Sequence, residues 1–415
     1  MATLTQLIRR GKQFAIRRCY IKRRDETTGV YEADWVRVDN YNGKSRVKNW
    51  GTVSIEIDNQ PNRIAGFNVS NLTIQFRNDD GLFNVETTTG SLWFGYLNRQ
   101  KTKLKVECGY EDDAGDDVGV ASIFEGYIDR VKIGDDQLAK ITILSYQNLL
   151  QGYEFEDIAG LGATETVNTL IDAMMNQVKI VEYIPYVAAD AAQNKTITVA
   201  DLSGSYWDVI KILCYKSGSV PKLVGDVWSF KKREIDASSS FDFEGKGSTA
   251  ISDIFKISSY DDEGADRITT KWFSSGGESA TTTDATLRLK YPIDKTIDLE
   301  LISSGAERQD IIDELLSQWE NPKPIIEFET RFLVNILEPL NKITLNVIGE
   351  AYPQCIFIWD SFNWIPDENN ITPDAPCWGG ILGAITIDSS EEWMITKVKK
   401  NINSWTTTVK AEKQP

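Results

Sequence analysis

The sequence predicts a mainly β (α+β) protein in which two units of short strands flank a small α/β module. Three observations carry that prediction. Two-residue alternation recurs in both halves of the chain; in the first, Val53, Ile55 and Ile57 face one way and Ser54, Glu56 and Asp58 the other, the mark of a half-buried strand. Clusters of Gly, Asn, Asp and Pro punctuate these runs at short intervals. The stretch 205–231 departs from both patterns and reads as one capped helix followed by one hairpin. At 415 residues the length suggests two or three cores. The predicted division is a first β unit over 1–155, the α/β module over 156–235, and a second β unit over 236–415 with an inserted helix near 306–320 and a long loop at 360–380.

In the first unit, β-forming residues cluster at 14–20 and 36–38, and the clean strand at 53–58 is broken by Pro and Gly within 59–66. A further strand is expected over Val69, Leu72, Ile74 and Phe76, closed by Asn78-Asp79-Asp80-Gly81. A calcium loop needs alternating acidic ligands and a terminal Glu that this cluster lacks, so a tight turn is the preferred reading. Leu104 and Val106 mark another strand, and 123–133 with 139–144 form a hairpin about Gly134-Asp135-Asp136. Between them lies the acidic loop 111–117. A hard cation and a solvated loop tip both fit its aspartates, and the loop tip is preferred. Such short strands and frequent turns suit a barrel or sandwich.

The module opens with a helix at 164–177, where Val167, Leu170, Ile171 and Met174 hold helical spacing and the methionines fill core. Strands are expected at 181–187 and 196–199. Ser205 with Asp208 then has capping-box spacing, Trp207, Ile210 and Cys214 share one helix face with Tyr206 and Leu213 beside it, and Gly218 supplies the left-handed stop. The hairpin after Pro221 turns at Gly225-Asp226. In the second unit, 235–250 reads as a Ser/Gly-rich linker, followed by strands at 254–258 and 267–273. The inserted helix carries a second Ser-x-x-Glu box, Ser304 with Glu307, and a stripe of Ile312, Leu315, Leu316 and Trp319 ending before Asn321-Pro322. Later strands fall at 325–334, 342–348, 356–359, 393–399 and 405–411.

Composition removes several chemistries. Histidine is absent (0 residues), which excludes Ser-His-Asp and Cys-His catalysis and His-ligated zinc. The 5 cysteines, Cys19, Cys108, Cys214, Cys355 and Cys377, stand far apart, so reduced buried thiols are expected rather than disulfides or a metal site. No catalytic, cofactor or metal residues are assigned. No run reaches the roughly 20 apolar residues of a membrane span, and the N-terminus lacks the apolar stretch of a signal peptide. A net charge of −16 argues against a surface built to grip nucleic acid. One segment runs against it: Arg9, Arg10, Lys12, Arg17, Arg18, Lys22, Arg23 and Arg24 all precede the first acidic residue, Asp25. An acidic partner or neighbouring subunit is one reading, a solvated strand face the other.

The chain also echoes itself. Leu97, Lys101, Leu104, Val106, Gly109 and Tyr110 run parallel to Leu337, Asn341, Ile343 to Leu345, Val347, Gly349 and Tyr352, and 124–131 with 141–143 parallel 393–398 with 406–409. Three stretches resemble the baseplate-hub or tail-tip hub family of tailed bacteriophages, shared with gene-transfer agents and contractile injection systems: the pattern 53–84 ending Asn-Asp-Asp-Gly-Leu-Phe-Asn, Phe-Glu-Gly-Tyr-Ile-Asp-Arg at 124–130, and Ser-Tyr-Trp-Asp-Val-Ile-Lys at 205–211 with its hairpin. The resemblance implies two tail-tube-like β-barrels joined by a small α/β module, assembling as a pseudo-sixfold trimer. It implies a non-enzymatic virion protein at the distal end of the tail, made in the bacterial host cytoplasm. The implied partners are its own homotrimer, the tail tube or distal tail protein, the tape-measure protein, and a central spike, fibre or other tail-tip protein; DNA is only cargo, and no stable membrane insertion is expected. An acidic lumen would repel passing DNA, so loops 112–117 and 261–263 are expected to face it. Two alternatives remain. A distal tail adapter forms a sixfold ring. A carbohydrate-binding or carbohydrate-active β protein would use Trp359, Trp364 and Trp378, with carboxylates such as Glu391 and Glu392, as a monomer.

Overall fold

A computed structural model describes residues 3–10, 14–24, 30–41, 43–57, 67–84, 102–134, 136–155, 158, 160–177, 186–187, 194–224, 227–245, 252–261, 268–302, 304–354 and 381–414. Two large sheets dominate. The first has seven described strands in the order Val36–Arg37, Ala15–Lys22, Lys103–Glu111, Asp117–Ile133, Leu138–Ser145, Leu72–Arg77 and Val47–Asn49. The second runs Ser239–Glu244, Lys342–Gln354, Glu392–Asn401, Thr406–Lys413, Ile325–Thr330 and Ile254–Asp261, with Ile381–Ile387 beside Lys342–Gln354. Among the described residues neither sheet closes on itself, so the expected barrels are two open sheets.

The first unit lends a hairpin to the second sheet. Strand Val47–Asn49 pairs with Leu72–Arg77 in the first sheet, but the next strand, Thr52–Ile57, pairs with Glu392–Asn401 in the second. Strand Phe67–Val69 pairs back onto Thr52–Ile57, and the chain returns to the first sheet with Leu72–Arg77. The single strand expected from Val69 to Phe76 is therefore two strands in different sheets. Alternation changes phase at the break, since the buried residues step from Phe67 and Val69 to Leu72, Ile74 and Phe76, a one-residue slip that also fits a bulge within one strand.

The crossing point is Gly51. Its φ of +75° is open to glycine, and a Cβ there would sit 2.6 Å from the Thr73 carbonyl oxygen and 2.8 Å from Leu72 Cδ1. Asparagines hold the corner: the Trp50 N–H donates to Asn403 Oδ1 at 2.8 Å, the Gly51 N–H to Asn49 Oδ1 at 2.9 Å, and Asn403 Nδ2 to Asn49 Oδ1 at 2.7 Å.

The two sheets share one pairing scheme. Lys103 stands opposite Tyr127 in the first, as Lys342 stands opposite Met394 in the second. Each long strand then bulges, passing over Asp129 and Thr396, and pairing resumes with Arg130 opposite Thr142 and Lys397 opposite Lys410. At each bulge one backbone bond of 3.0 Å recurs, from the Ile128 N–H to the Thr102 carbonyl and from the Ile395 N–H to the Asn341 carbonyl. Beyond, Thr142 faces Thr73 and Lys410 faces Glu327. This register aligns Val106 with Leu345, two residues before the Val347 that alternation suggests. A two-residue slip keeps every side chain on its face, so periodicity cannot detect it. The repeat ends at the outer strand: Ala15–Lys22 is antiparallel to its neighbour, Ser239–Glu244 parallel.

The module follows its sequence closely. Helix Tyr206–Ser217 starts with a capping box, in which Ser205 Oγ accepts from the Asp208 N–H at 3.2 Å and the Asp208 carboxylate from the Ser205 N–H at 3.3 Å, and it ends at Gly218 with φ 68°. Ser219–Val224 pairs with Val227–Lys232; the turn residues Gly225 and Asp226 lie outside the described residues. Tyr186–Val187 adds a parallel strand, which makes the unit α/β. Trp207 packs against Trp228 (5.3 Å between ring centroids) and Phe67 (6.4 Å), so the module sits on the lent hairpin.

Elsewhere the outcome is mixed. Helices Val167–Gln177 and Gly305–Trp319 form with Leu170, Ile171, Met174, Ile312, Leu315 and Trp319 buried, while Leu316 is only half-buried. The expected linker 235–250 contains a strand, Ser239–Glu244, because Phe241 and Phe243 alternate with polar residues and bury one face. Helix Leu4–Arg10 was not expected. Its signal was a Thr-x-x-Gln box, with the Thr3 N–H donating to Gln6 Oε1 at 2.9 Å and the Gln6 N–H to Thr3 Oγ1 at 3.3 Å. Short helices Tyr146–Leu150 and Ala285–Lys290 were also missed. The strand expected at 356–359 and the loop 360–380 lie outside the described residues.

Gly51→Ala is expected to cost about 1–3 kcal/mol, the usual size of a forced backbone outlier. A urea midpoint equal to wild type would show that the corner relaxes freely.

Candidate functional site

Two arginines of the basic segment singled out in the sequence meet the acidic loop. Arg18 holds Asp117 through two nitrogens, one contact being 2.7 Å, and Arg10 reaches Asp113 at 2.8 Å. Arg9 forks onto buried Asp253 at 2.9 Å, tying the N-terminal helix to the second sheet's edge strand. Arg17 lies over the Trp405 ring, 4.9 Å from its centroid. Asp112 serves its own loop, its Oδ1 accepting from the Ala114 and Asp116 N–H groups at 2.9 and 3.0 Å; these backbone bonds hold its carboxyl below the usual range. Arg9, Arg10, Arg17 and Arg18 of the basic run are thus engaged within the chain, Lys12 lies outside the described residues, and three aspartates of the loop are engaged.

The Asn78–Asn84 motif is a tight turn locked by its own side chains. Asn78 Oδ1 accepts from the Phe83 N–H at 2.8 Å, Asn78 Nδ2 donates to Asn84 Oδ1 at 2.7 Å, and buried Arg46 binds Asp80 at 2.7 Å. Phe83 is buried against Phe76. Among the described residues no group of three His, Cys, Asp or Glu is placed to hold a metal. Glu391 and Glu392, named as a carboxylate pair, are tied to different lysines, Glu391 to Lys413 at 2.7 Å and Glu392 to Lys342. Trp359, Trp364 and Trp378 lie outside the described residues, as do Asp262 and Glu263 of the second acidic loop. No described helix is long and apolar enough to cross a membrane.

What the structure brings together is the junction of the two sheets, which alternation did not foretell. The Tyr110 hydroxyl donates to the Leu333 carbonyl, and its ring meets Trp405 at 5.7 Å. Asn335 Nδ2 donates to the Cys108 and Gly119 carbonyls at 2.9 and 2.6 Å. Buried Lys400 donates to the Asn335 carbonyl at 2.7 Å, and it lines, with Glu338, Glu125 and Ile55, a crevice of about 10 Å³, room for about one water. Burial lowers the Lys400 ammonium against the pull of Glu338; burial raises the Glu338 carboxyl against Lys400 and Lys222. Lys222 also faces Asp236 at 3.6 Å, and Asn341 Nδ2 donates to Asp236 at 2.6 Å, so the module is wired into the same network. Burial pushes the Cys108 thiol up to about 12. That thiol is a neutral core group.

A second buried group joins module to C-terminus. Arg233 grips Glu412 through two 3.0 Å contacts and lies 4.9 Å from the Trp319 ring centroid, with Lys323 at 3.9 Å from the same carboxylate. Burial pushes Glu412 up, but Arg233 and Lys323 outweigh it and the net shift is downward. On helix Gly305–Trp319, Arg308 binds Glu278 at 2.9 Å. Arg308 first, and Ser274 next, depress the Glu278 carboxyl to about 2. The Ser304 hydroxyl caps this helix from the Glu307 N–H at 3.4 Å.

No family model and no curated protein matches the chain by sequence. By fold, it is similar to the tail protein from Neisseria meningitidis MC58, with a TM-score of 0.50, 12% identity, and 96% of each chain covered. The fold is that of a tail protein. The chain also aligns with the 43 kDa tail protein of prophage MuSo2 from Shewanella oneidensis, at a TM-score of 0.47 and 10% identity over 95% of this chain and 98% of that one. A prophage tail protein from Listeria monocytogenes EGD-e aligns at 0.47 and 11% over 95% and 94%. The alignment with the Neisseria protein covers 96% of the chain, so the likeness in fold is not confined to one sheet.

Two outcomes test this wiring. Arg233→Met leaves Glu412 buried without its main partner and is expected to cost about 3–5 kcal/mol, while Arg233→Met with Glu412→Leu recovers much of that. Equal losses in both variants would mean that packing, not charge, dominates. The Glu278 carboxyl is depressed on folding, so its contribution is complete above the usual carboxylate range and is lost as pH falls toward about 2. Glu278→Gln is therefore expected to flatten the fall in thermal midpoint between about pH 4.5 and pH 2. An unchanged acid limb would assign that fall to other groups.

Proposed function

We propose that this chain is the structural, non-enzymatic hub of a phage tail tip or baseplate, placed at the distal end of the virion tail. Three copies form a ring that continues the tail tube, adapts its sixfold symmetry to threefold, and lines the channel through which DNA is ejected. The observation that carries this reading is the internal repeat, two sheets with one pairing scheme and one bulge, in a chain whose whole length is similar in fold to a tail protein. A chain that presents nearly the same sheet twice offers six near-equivalent positions from three copies, so a sixfold tube meets it without a symmetry clash.

In this reading the units 1–155 and 236–415 are the two tube-like domains and 156–235 the module between them, and the open sheets complete barrels through neighbours in the ring. The partners are the tail tube or distal tail protein, the tape-measure protein, and a central spike or fibre; DNA passes as cargo. The net charge of −16 suits a non-adhesive channel. Loop 112–117 lends it less charge than its composition suggests, because Arg10 and Arg18 answer two of its aspartates.

Light scattering and electron-microscope class averages of the purified chain test the reading. The expected species is about three times 46.7 kDa with a central hole. A sixfold ring would replace the hub by a distal adapter, and a monomer that binds glycan would replace both.

A further inference from the structure

Three parts of the chain meet around the crevice at the sheet junction. Ser122 and Glu125 come from the first sheet, Ile55 and Val69 from the lent hairpin, and Glu338 and Lys400 from the second unit. Most of the polar members are short of partners. Lys400 is 2% exposed and carries three donor hydrogens, of which the Asn335 carbonyl takes one at 2.7 Å; among the described residues no other hydrogen bond and no ion pair reaches this ammonium. The Glu338 carboxylate has Lys222 at 3.9 Å, beyond hydrogen-bond length. Ser122 Oγ is buried, again without a hydrogen-bond partner among the described residues. Glu125 differs, since it accepts from the Tyr146 hydroxyl at 2.8 Å. A buried polar group without a partner carries its whole desolvation cost, and here three such groups line one space.

Charge and size identify what fits that space. A cation would face the Lys400 ammonium, and an anion would face the Glu125 and Glu338 carboxylates, so the occupant is neutral. It has to accept hydrogen bonds, because Lys400 offers only donors, and to donate them, because a carboxylate offers only acceptors. Room of about 10 Å³, one water-sized sphere, admits nothing larger than water.

We propose that this crevice is a binding site for one internal water, which accepts from Lys400, donates to Glu338 and has the Ser122 hydroxyl as its third partner. The water turns separate contacts into one polar path across the junction. The path runs from Lys222 of the module to Glu338, through the water to Lys400, on to the Asn335 carbonyl, and by the Asn335 side chain to the Cys108 and Gly119 carbonyls of the first sheet. Lys400 lies one residue from the end of its strand and directly opposite Lys400's pairing partner Val53, so the lent hairpin holds the ammonium in place beside the site. Because Ser122 belongs to the first sheet and Glu338 and Lys400 to the second unit, a water held by all three fixes the spacing of the two bodies as a direct side-chain contact would.

Crystals of the full chain soaked in rubidium bromide test the site. The expected result is a single density peak within hydrogen-bond distance of Lys400 Nζ, the Glu338 carboxylate and Ser122 Oγ, with no anomalous signal. An anomalous peak there assigns the site to rubidium or bromide and overturns the inference, as does a crevice without density or a direct bond from Lys400 to Glu338. Two variants that keep both charges, Ser122→Ala and Ser122→Val, carry the test into solution. Alanine removes one partner and leaves the room, whereas valine puts a methyl group where the water sits and leaves Lys400 and Glu338 each a partner short. Valine is the better strand former, so propensity alone would make it the more stable of the two. The expected thermal midpoint is nevertheless lower for Ser122→Val than for Ser122→Ala. A valine variant equal to or more stable than the alanine variant shows a dry crevice and overturns the inference.

Discussion

The fold depends on one hairpin that belongs to one unit by sequence and to the other by pairing. Backbone groups of Thr52–Ile57 must find partners once they leave the first sheet, and the strand Glu392–Asn401 supplies them. Three things follow from that exchange. The first sheet stays open where the strand departs, the second gains a strand more than 300 residues away in sequence, and the module gains a platform, because Phe67 on the returning strand is what Trp207 and Trp228 pack against. A corner of glycine and asparagine makes the exchange possible: Gly51 accepts the positive φ, and Asn49 and Asn403 satisfy the polar groups that the turn would otherwise bury unpaired.

The junction that this exchange creates is polar where cores are usually apolar. Lys400, Glu338, Lys222 and Asp236 sit among buried aromatic and aliphatic side chains, and Arg233 with Glu412 repeats the arrangement at the C-terminus. Buried charges add little net stability, because desolvation offsets most of their attraction, but each is costly to leave unpaired. They therefore act on geometry. A sliding of one sheet against the other, or a rocking of the module, separates partners that are costly to leave unpaired.

How much of this was legible depended on whether the cause was local. The helix Tyr206–Ser217 was readable at both ends, since Ser205, Asp208 and Gly218 act within a turn of where they stand, and the inserted helix and the Asn78–Asn84 turn were readable for the same reason. The break after Val69 left only a one-residue change of phase before Leu72, which a bulge within a single strand would produce as well. The strand at Phe241 and Phe243 was hidden by the serines and glycines around it. Arg18 and Asp117 are 99 residues apart, and nothing in either segment names the other; the basic run and the acidic loop were both noticed, but their pairing needed the sheet order that sets Ala15–Lys22 and Asp117–Ile133 on either side of Lys103–Glu111. The internal echo was visible as a pattern and wrong by one strand period at Val106, an error that alternation tolerates by construction.

The repeat is informative chiefly where its halves differ. Core positions of the two sheets are interchangeable in kind, Ile128 with Ile395 and Ile141 with Val409, because each packs apolar residues under the same bulge. The polar faces are not: the second sheet alternates Glu56, Lys397, Lys410 and Glu327 across four strands, whereas the first aligns Lys132 with Lys140 and leaves Thr73 and Gln75 where the second has carboxylates. A chain with 61 acidic and 45 basic residues has no shortage of carboxylates to place there. The difference follows the pairing. The second sheet's strand has its neighbour within the chain, and that neighbour brings its own glutamate; among the described residues the first sheet's strand has none past the bulge on that side, and Arg130 and Lys132 stay exposed.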